Sequence, residues 1–600
     1  MREKSVTWRG LKLYHSFSPS YFPCKALETL LNTFSPYFNL WMSAEIVTAL
    51  YQGSGRERLY RLVMITLLVN LVLRIGSAFL KKTADQAFET LENNQSAAFY
   101  KKTLSLDYDK LENPEIRRLR RKIVENGWIN GYGASQMRWR VEELFSVALE
   151  LLFSAGLVAE MVSLAARASL RWEGILLFLL MAASAALAVW IQAAGTKKLA
   201  DYWKRVGDLM LWENRISDGT RVLGVDNRIY LQQELIRELD QKTMQEHRKC
   251  FIGASGAELR VEVQKSLFYH LARLWACLLI CLYCILGSFP VGSVIKYVGY
   301  LGRTINSIGR LFSCVSNLKN NEPFLETWLS YFELKNDMYQ GSLAVEKRSD
   351  WRFDISFRDV SFRYAGSGTD ALKKINLDLH VGEKLAVVGQ NGSGKTTFIK
   401  LLCRLYDPTE GEIRMNDFNI RKYDYRQYLD LFSVVFQDYN LLALPLGNNV
   451  ASAAEWDRER AERLLEQVGF GERYAKMPKG LETPLYKEFD EDGVIVSGGE
   501  AQKIALARAL YRDAPFIILD EPTAALDPIA ESEIYSRFDE IVGKRTAIYI
   551  SHRLSSCRFC DRIAVFDEGE IVQVGTHEEL LADTGGKYYE LWNAQAQYYR

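Results

Sequence analysis

The sequence predicts a two-part chain, with six membrane-spanning α-helices followed by an α/β part that carries an added antiparallel β portion. Three observations predict it. Apolar blocks near bilayer-crossing length fill the first half, the pattern changes near Ser342 to short β-rich runs alternating with helical ones, and a glycine-rich turn follows one of those runs. Composition adds exclusions. A chain of 600 residues with 48% hydrophobic and 25% charged residues is too ordinary to be collagen-like, disordered or wholly intramembrane, so it must be read by region. Lys+Arg 75 against Asp+Glu 74 leaves a formal charge of +1. No basic excess draws in a phosphate backbone, and no nucleic-acid partner is expected.

Ile175 to Ala194 is the strongest span: it has no formal charge and reaches about the 30 Å that a hydrocarbon core requires. Leu274 to Phe289, Arg61 to Leu80 and Leu144 to Ala165 follow, and the weaker Phe34 to Leu50 and Val291 to Phe312 complete the six. So many runs are hard to bury in a soluble core. Spans pair through short loops, whereas long charged stretches rich in Glu, Lys, Arg, Leu and Gln separate the second from the third and the fourth from the fifth. These residues favour helix, so the spans should run on past the bilayer on one side and turn at their tips. Lys81, Lys82, Arg117, Arg118, Arg120, Arg121, Lys197 and Lys198 place those extensions inside, while Arg56, Arg58, Arg167 and Arg171 in short outer loops run against the rule. An even number of spans puts both termini inside.

The start, MREKSVTWRGLKLYHSFSPSYFP, lacks the sustained apolar run of a cleaved secretory signal. It reads as an amphipathic segment on the inner membrane surface, with Trp8, Leu11, Leu13 and Tyr14 as its apolar contacts. The nine cysteines are dispersed, and Cys557 and Cys560 form a CxxC without a second pair. They read as packing or surface thiols.

In the second part, Phe353 to Ser361, Leu385 to Gly389, Phe516 to Asp520, Thr546 to Ile550 and Ile563 to Asp567 are strand candidates. Leu401 to Tyr406, Arg458 to Val468 and Glu500 to Tyr511 are helix candidates. The domains expected are residues 1–335, a linker over 336–350, and residues 351–600.

Gly389-Gln390-Asn391-Gly392-Ser393-Gly394-Lys395-Thr396 satisfies GxxxxGK[ST] directly after the apolar run Leu385 to Val388, the strand, turn and helix-start context that a phosphate-binding loop requires. Glycines permit the turn, backbone N–H groups cradle phosphate oxygens, Lys395 reaches the β and γ phosphates, and Thr396 holds Mg²⁺. Phe516 to Leu519 then end in Asp520-Glu521, which suits a metal ligand and a group that polarises or orients attacking water.

Val496-Ser497-Gly498-Gly499-Glu500 resembles the LSGGQ signature loop of the ATP-binding cassette superfamily, and the chain is similar to its exporter-type half-transporters over nearly all its length. The resemblance implies ATP and Mg²⁺ as cofactors, with Gly389, Asn391, Gly392, Ser393, Gly394, Lys395, Thr396 and Thr397 around the phosphates. It implies that Tyr364 stacks on adenine, that Gln437 in VVFQD senses Mg²⁺ and the γ-phosphate, that Asp527 crosses to a partner, and that His552 contacts the γ-phosphate. Glu521, His552, Gln437 and Lys395 are the catalytic set it implies, and Thr396, Gln437 and Asp520 the metal set. Three positions depart from the pattern: Val496 for Leu, Ala524 for Ser, and Glu500 for Gln, the last bringing a negative charge near the nucleotide.

In that family, Ser497, Gly498, Gly499 and Glu500 complete the nucleotide site of another chain, so a homodimer or a heterodimer with a similar half-transporter is implied. Asn113-Pro114 and Arg215 to Asp226 resemble the coupling segments at the loop tips. The activity implied is ATP-driven transport of a lipid, peptide or amphipathic small molecule out of a bacterial cell through its inner or plasma membrane, with the nucleotide domain and both termini in the cytoplasm. Glu45, Arg74, Glu150, Glu160 and Arg273 are the charged groups within spans, and Glu45 and Glu150 are the stronger candidates for facing the path. An importer, a transport regulator and a soluble ATPase are the alternatives. A peptidase ahead of the first span is not expected, since that span begins near residue 34.

Overall fold

In a computed structural model, residues 5–128, 131–167, 172–222, 228–287, 290–346, 353–521, 542–543, 545–551 and 554–596 are described. Asp527, His552 and Ala524 lie outside them, as does the 223–226 end of the expected tip at Arg215 to Asp226. Contacts divide the chain into two compact units, Met1–Leu106 with Pro114–Lys335, and Asp107–Asn113 with Asn336–Arg600.

Each expected span of the first unit overlaps a long helix, Tyr21–Tyr51, Arg56–Leu104, Ala134–Arg167, Trp172–Val222, Gln232–Ile285 and Ser293–Glu333, although the span expected to Phe289 ends with its helix at Ile285. Among the described residues, Arg56–Leu104, Trp172–Gly195 and Gln232–Ile285 are long and apolar enough to cross a membrane. The other three expected spans are helical as well. The helix Gln232–Ile285 has 54 residues. At about 1.5 Å per residue it reaches far beyond a hydrocarbon core of about 30 Å, as the polar extensions require. Tyr37, Ala272, Ile280, Tyr297 and Tyr300 form the core among these helices.

Two of the apolar contacts expected at the membrane surface, Leu13 and Tyr14, pack on protein instead. Residues Val6–Phe17 form a helix capped by Ser5, but Tyr14 is buried against Trp328, and Leu13 packs into the same cluster. Arg9 pairs with Glu333 at 2.7 Å and Glu326 at 3.4 Å. The protein takes the inner face, and Trp8 is left 57% exposed.

The second unit holds an antiparallel four-stranded sheet, β2-β1-β4-β5, formed by Leu372–Leu379 (β2), Ile355–Phe362 (β1), Glu410–Met415 (β4) and Phe418–Asn419 (β5). A six-stranded sheet runs β10-β9-β3-β8-β7-β6: Glu570–Gly575, Arg562–Asp567, Lys384–Gly389, Thr546–Ile550, Phe516–Asp520 and Phe432–Val435. All its pairings are parallel except β10 with β9. Phe357, Phe398, Ile518 and Phe566 join the two sheets in one core.

The helix expected over Leu401 to Tyr406 instead occupies Lys395–Leu402. Arg404 at φ 52° stops its continuation, and its fully buried side chain binds the carbonyls of Tyr339 and Tyr423. That contact also fastens the stretch read as a linker. Leu343 N donates to Lys422 O at 2.9 Å and Tyr425 N to Gln340 O at 2.9 Å, so residues 336–346 are built into the second unit.

Candidate nucleotide site

The carboxyl ends of three parallel strands position the site. Val387 of β3 lies beside Ile550 of β8, and Ile550 lies beside Asp520 of β7, so the glycine-rich turn and the carboxylate flank the end of β8. Two glycines make the turn. At Gly389, with φ 153°, a Cβ would meet Phe566 O at 2.2 Å, and at Gly394, with φ 104°, it would meet Leu372 Cδ2 at 2.6 Å. Gly394 starts the helix Lys395–Leu402 without a side-chain cap, which leaves the first-turn N–H groups for a ligand.

Lys395 is buried, and its Nζ donates to the carbonyls of Gly389 and Gln390 at 2.9 Å each. Burial pulls its pKa down, against the opposing charges of Glu521 and Asp520. Ser393 Oγ is buried with no hydrogen-bond partner among the described residues. An uncapped helix start beside an orphaned hydroxyl and a buried ammonium fits a phosphate. Tyr364 OH lies 3.0 Å from Thr397 Oγ1, its ring edge-on to Phe362 and Tyr406. A cleft of about 560 Å³ is lined by Tyr364, Asn391, Gly392, Gly394, Lys395, Thr396, Thr397, Gln437 and Glu521.

Thr396 Oγ1 donates to Asp520 Oδ2 at 3.3 Å. Burial first, then the charge of Glu521, pushes Asp520 up to about 6. Two hard oxygen donors in a crowded, carboxylate-rich corner fit Mg²⁺, whose charge would relieve that crowding. Because Val435 of β6 is level with Leu519, Gln437 comes beside Glu521 and its Nε2 donates to Glu521 Oε2 at 3.0 Å. Glu521 sits at φ 50°, a left-handed conformation uncommon for its type. Its N–H donates to Ile550 O at 3.1 Å, and its carbonyl accepts from Gln502 Nε2 at 3.1 Å. Gln502 was not singled out from the sequence, since only the fold reveals that the signature helix reaches back to Glu521.

Ser497, Gly498, Gly499 and Glu500 do not line that cleft. Ser497 caps the helix Gly498–Arg512, accepting from Glu500 N at 3.3 Å while its own N–H donates to Glu500 Oε2 at 2.8 Å. The outer face of Glu500 pairs with Arg473 at 2.9 Å. The negative charge expected near the nucleotide is thus turned into the chain, where an arginine compensates it, a partner that sequence spacing alone does not reveal.

The segment Asp107–Asn113 belongs by contacts to the nucleotide unit. Tyr108, in the short helix Tyr108–Glu112, meets Tyr406 edge-on at 5.5 Å, and Lys400 Nζ lies 5.6 Å from its ring centre. Asp107 Oδ2 accepts from the N–H groups of Asp337 at 2.9 Å and Met338 at 3.0 Å.

Residues 372–524 match the family model described as ABC transporter. The chain is 36% identical over 344 residues to the subtilin transport ATP-binding protein SpaT of Bacillus subtilis, covering 56% of this chain and 55% of that protein. It is 34% identical over 303 residues to the ATP-dependent lipid A-core flippase of Escherichia coli K12, covering 50% and 51%. The matches span about half the length of these relatives. A bacterial Atm1-family ABC exporter with ATP bound shares the fold with a TM-score of 0.76 at 20% identity, covering 95% of this chain and 97% of that one.

Proposed function

We propose that this chain, whose residues 372–524 belong to the ABC transporter family and whose fold is that of an ABC exporter, is one half of an ATP-driven exporter. Residues 1–335 form its membrane part, 336–350 join the parts, and 351–600 bind ATP. The single observation that carries the reading is an incomplete site: one cleft gathers Tyr364, Lys395, Thr396, Gln437 and Glu521 beside Asp520, yet the same chain's Ser497 to Glu500 loop does not line it. A second copy, or a similar half-transporter, supplies that loop.

In the closed pair, Lys395 and the turn's N–H groups hold the phosphates, while Thr396 and Asp520 would hold Mg²⁺, which when bound would supply positive charge beside the phosphates. Glu521, oriented by Gln437 and pinned through its backbone by Gln502, polarises the attacking water. His552 is assigned to the γ-phosphate. Binding draws the two halves together, hydrolysis releases them, and Tyr108 carries the motion to the membrane part. The setting proposed is the inner or plasma membrane of a bacterial cell, with the nucleotide domain and both termini in the cytoplasm. The cargo is a lipid, peptide or amphipathic small molecule.

ATPase measurements in neutral detergent test this. The Glu521→Gln variant should lose turnover by about a hundredfold or more, the scale of a lost general base, while still binding ATP. Unchanged turnover, or full turnover by a strict monomer, overturns the reading.

A further inference from the structure

Three cations of the helix Ser293–Glu333, Lys296, Arg303 and Arg310, recur every seven residues and so share one face. Two are neutralised. Lys296 Nζ meets Glu160 at 3.1 Å, while Arg310 meets Glu150 at 3.1 Å and Glu143 at 3.4 Å. Arg303, between them, is half-buried and has neither an ion pair nor a hydrogen bond among the described residues. Its one close partner is the Tyr37 ring, 5.5 Å from the guanidinium carbon. Five donors in fixed geometry are therefore unspent in a segment patterned as a membrane span, where a charge without a partner is costly.

Arg303 opens on a cavity of about 510 Å³ within the first unit. The four carboxylates on the cavity wall are already engaged: Glu28 with Lys25 at 2.9 Å, Glu142 with Arg138 at 2.9 Å, Glu143 with Arg140 at 2.7 Å, and Glu150 with Arg310. Counting wall and partners, Lys25, Arg138, Arg140, Arg303 and Arg310 face four carboxylates, which leaves one positive charge, at Arg303. The wall adds Thr29, Asn32 and Ser146 as hydrogen-bonding groups and suits a polar head better than an apolar chain.

We infer that this cavity is a cargo-binding subsite that takes an anionic oxygen group, a carboxylate or a phosphate, on Arg303. The inference rests on the exporter reading and names the chemistry that the exporter recognises. The planar guanidinium pairs with either anion through two parallel hydrogen bonds. Glu150, read from the sequence as facing the path, lines the same cavity but is held by Arg310 and Ser307. It shapes the wall instead of meeting cargo as a free charge.

Calorimetric titration of the full chain in maltoside micelles tests this with two matched probe pairs. One pair is dihexanoyl phosphatidylglycerol against dihexanoyl phosphatidylcholine, and the other is acetyl-Ala-Glu-Ala-amide against acetyl-Ala-Gln-Ala-amide. In at least one pair the anionic member should bind about tenfold tighter, the scale of one charge-assisted contact, and Arg303→Gln should abolish the preference. The pair that responds identifies a lipid or a peptidic source. Arg303→Met, which keeps an apolar stem on Tyr37, replaces the glutamine variant if that one fails to elute as wild type. No anionic preference in either pair, or a preference that survives loss of Arg303, overturns the inference. The same titrations in a Glu521→Gln background keep the preference, so a failed ATPase reading and a failed subsite give different results.

Discussion

At the residue scale, two carboxylates show how environment decides role. Glu500 stands where the resembling family has glutamine, and Arg473 at 2.9 Å neutralises it. In the proposed pair, removing the arginine leaves a bare charge at the composite nucleotide site, so Arg473→Ala should raise the ATP concentration for half-maximal turnover by about three- to tenfold, as expected of a charge-assisted contact. The double variant with Glu500→Gln should recover, because glutamine caps the helix without charge. An unrepaired double variant would show that Arg473 acts through folding alone. Asp520 differs, being lifted to about 6 by burial and by Glu521. Its folded value lies above that of an exposed aspartate, so the folded chain holds the extra proton between the two. The contribution of Asp520 to stability without metal is therefore fully present below about pH 4 and is lost as pH rises through about 6, on the order of 1–3 kcal/mol at most. Melting curves with a chelator should show this decline, and Mg²⁺ or Asp520→Asn should remove it.

At the element scale, long periodic segments were legible and short paired ones were not. The strand Phe516–Asp520 is apolar up to its terminal Asp520 and buried on both faces, and its limits agree with the sequence reading. Leu372–Leu379, Glu410–Met415, Phe432–Val435 and Glu570–Gly575 were not read as strands. Glu410–Met415 puts Glu410, Glu412 and Arg414 at every second position, and Phe432–Val435 is four residues long and pairs with Phe516–Asp520 far along the chain. The N-terminal segment was read as amphipathic, but periodicity does not say whether lipid or protein covers an apolar face. Tyr14→Ala should therefore destabilise the chain by roughly 3 kcal/mol or more, as loss of a buried aromatic does, whereas Trp8→Ala should change stability by about 0.5 kcal/mol or less. Detergent melting temperatures compare the two. Tyr108 makes the mechanical case. It packs beside Lys400, one turn and a half beyond Lys395 on an eight-residue helix, so the segment Asp107–Asn113 meets the helix that follows the phosphate turn. Tyr108→Ala should leave ATP binding intact and abolish the rise in turnover that cargo produces.

At the scale of the whole molecule, the phosphate turn and the signature loop are both present, each built soundly, and yet they do not form one cleft. If two copies pair head to tail as proposed, this has a sharp consequence. A chain bearing Lys395→Ala and a chain bearing Ser497→Ala are each inactive as homodimers, because every composite site contains one damaged member. In a mixed pair the damage collects in one site, which joins the altered Lys395 position of the first chain to the altered Ser497 position of the second. The other site then joins an intact phosphate turn to an intact signature loop. With random pairing about half the dimers are mixed and each keeps one of two sites, so co-expression should restore about a quarter of the wild-type rate. Two variants purified separately and never allowed to exchange should restore none. Recovery in the first case and silence in the second would place the catalytic unit in the pair, because a site closed within one chain cannot be repaired by another.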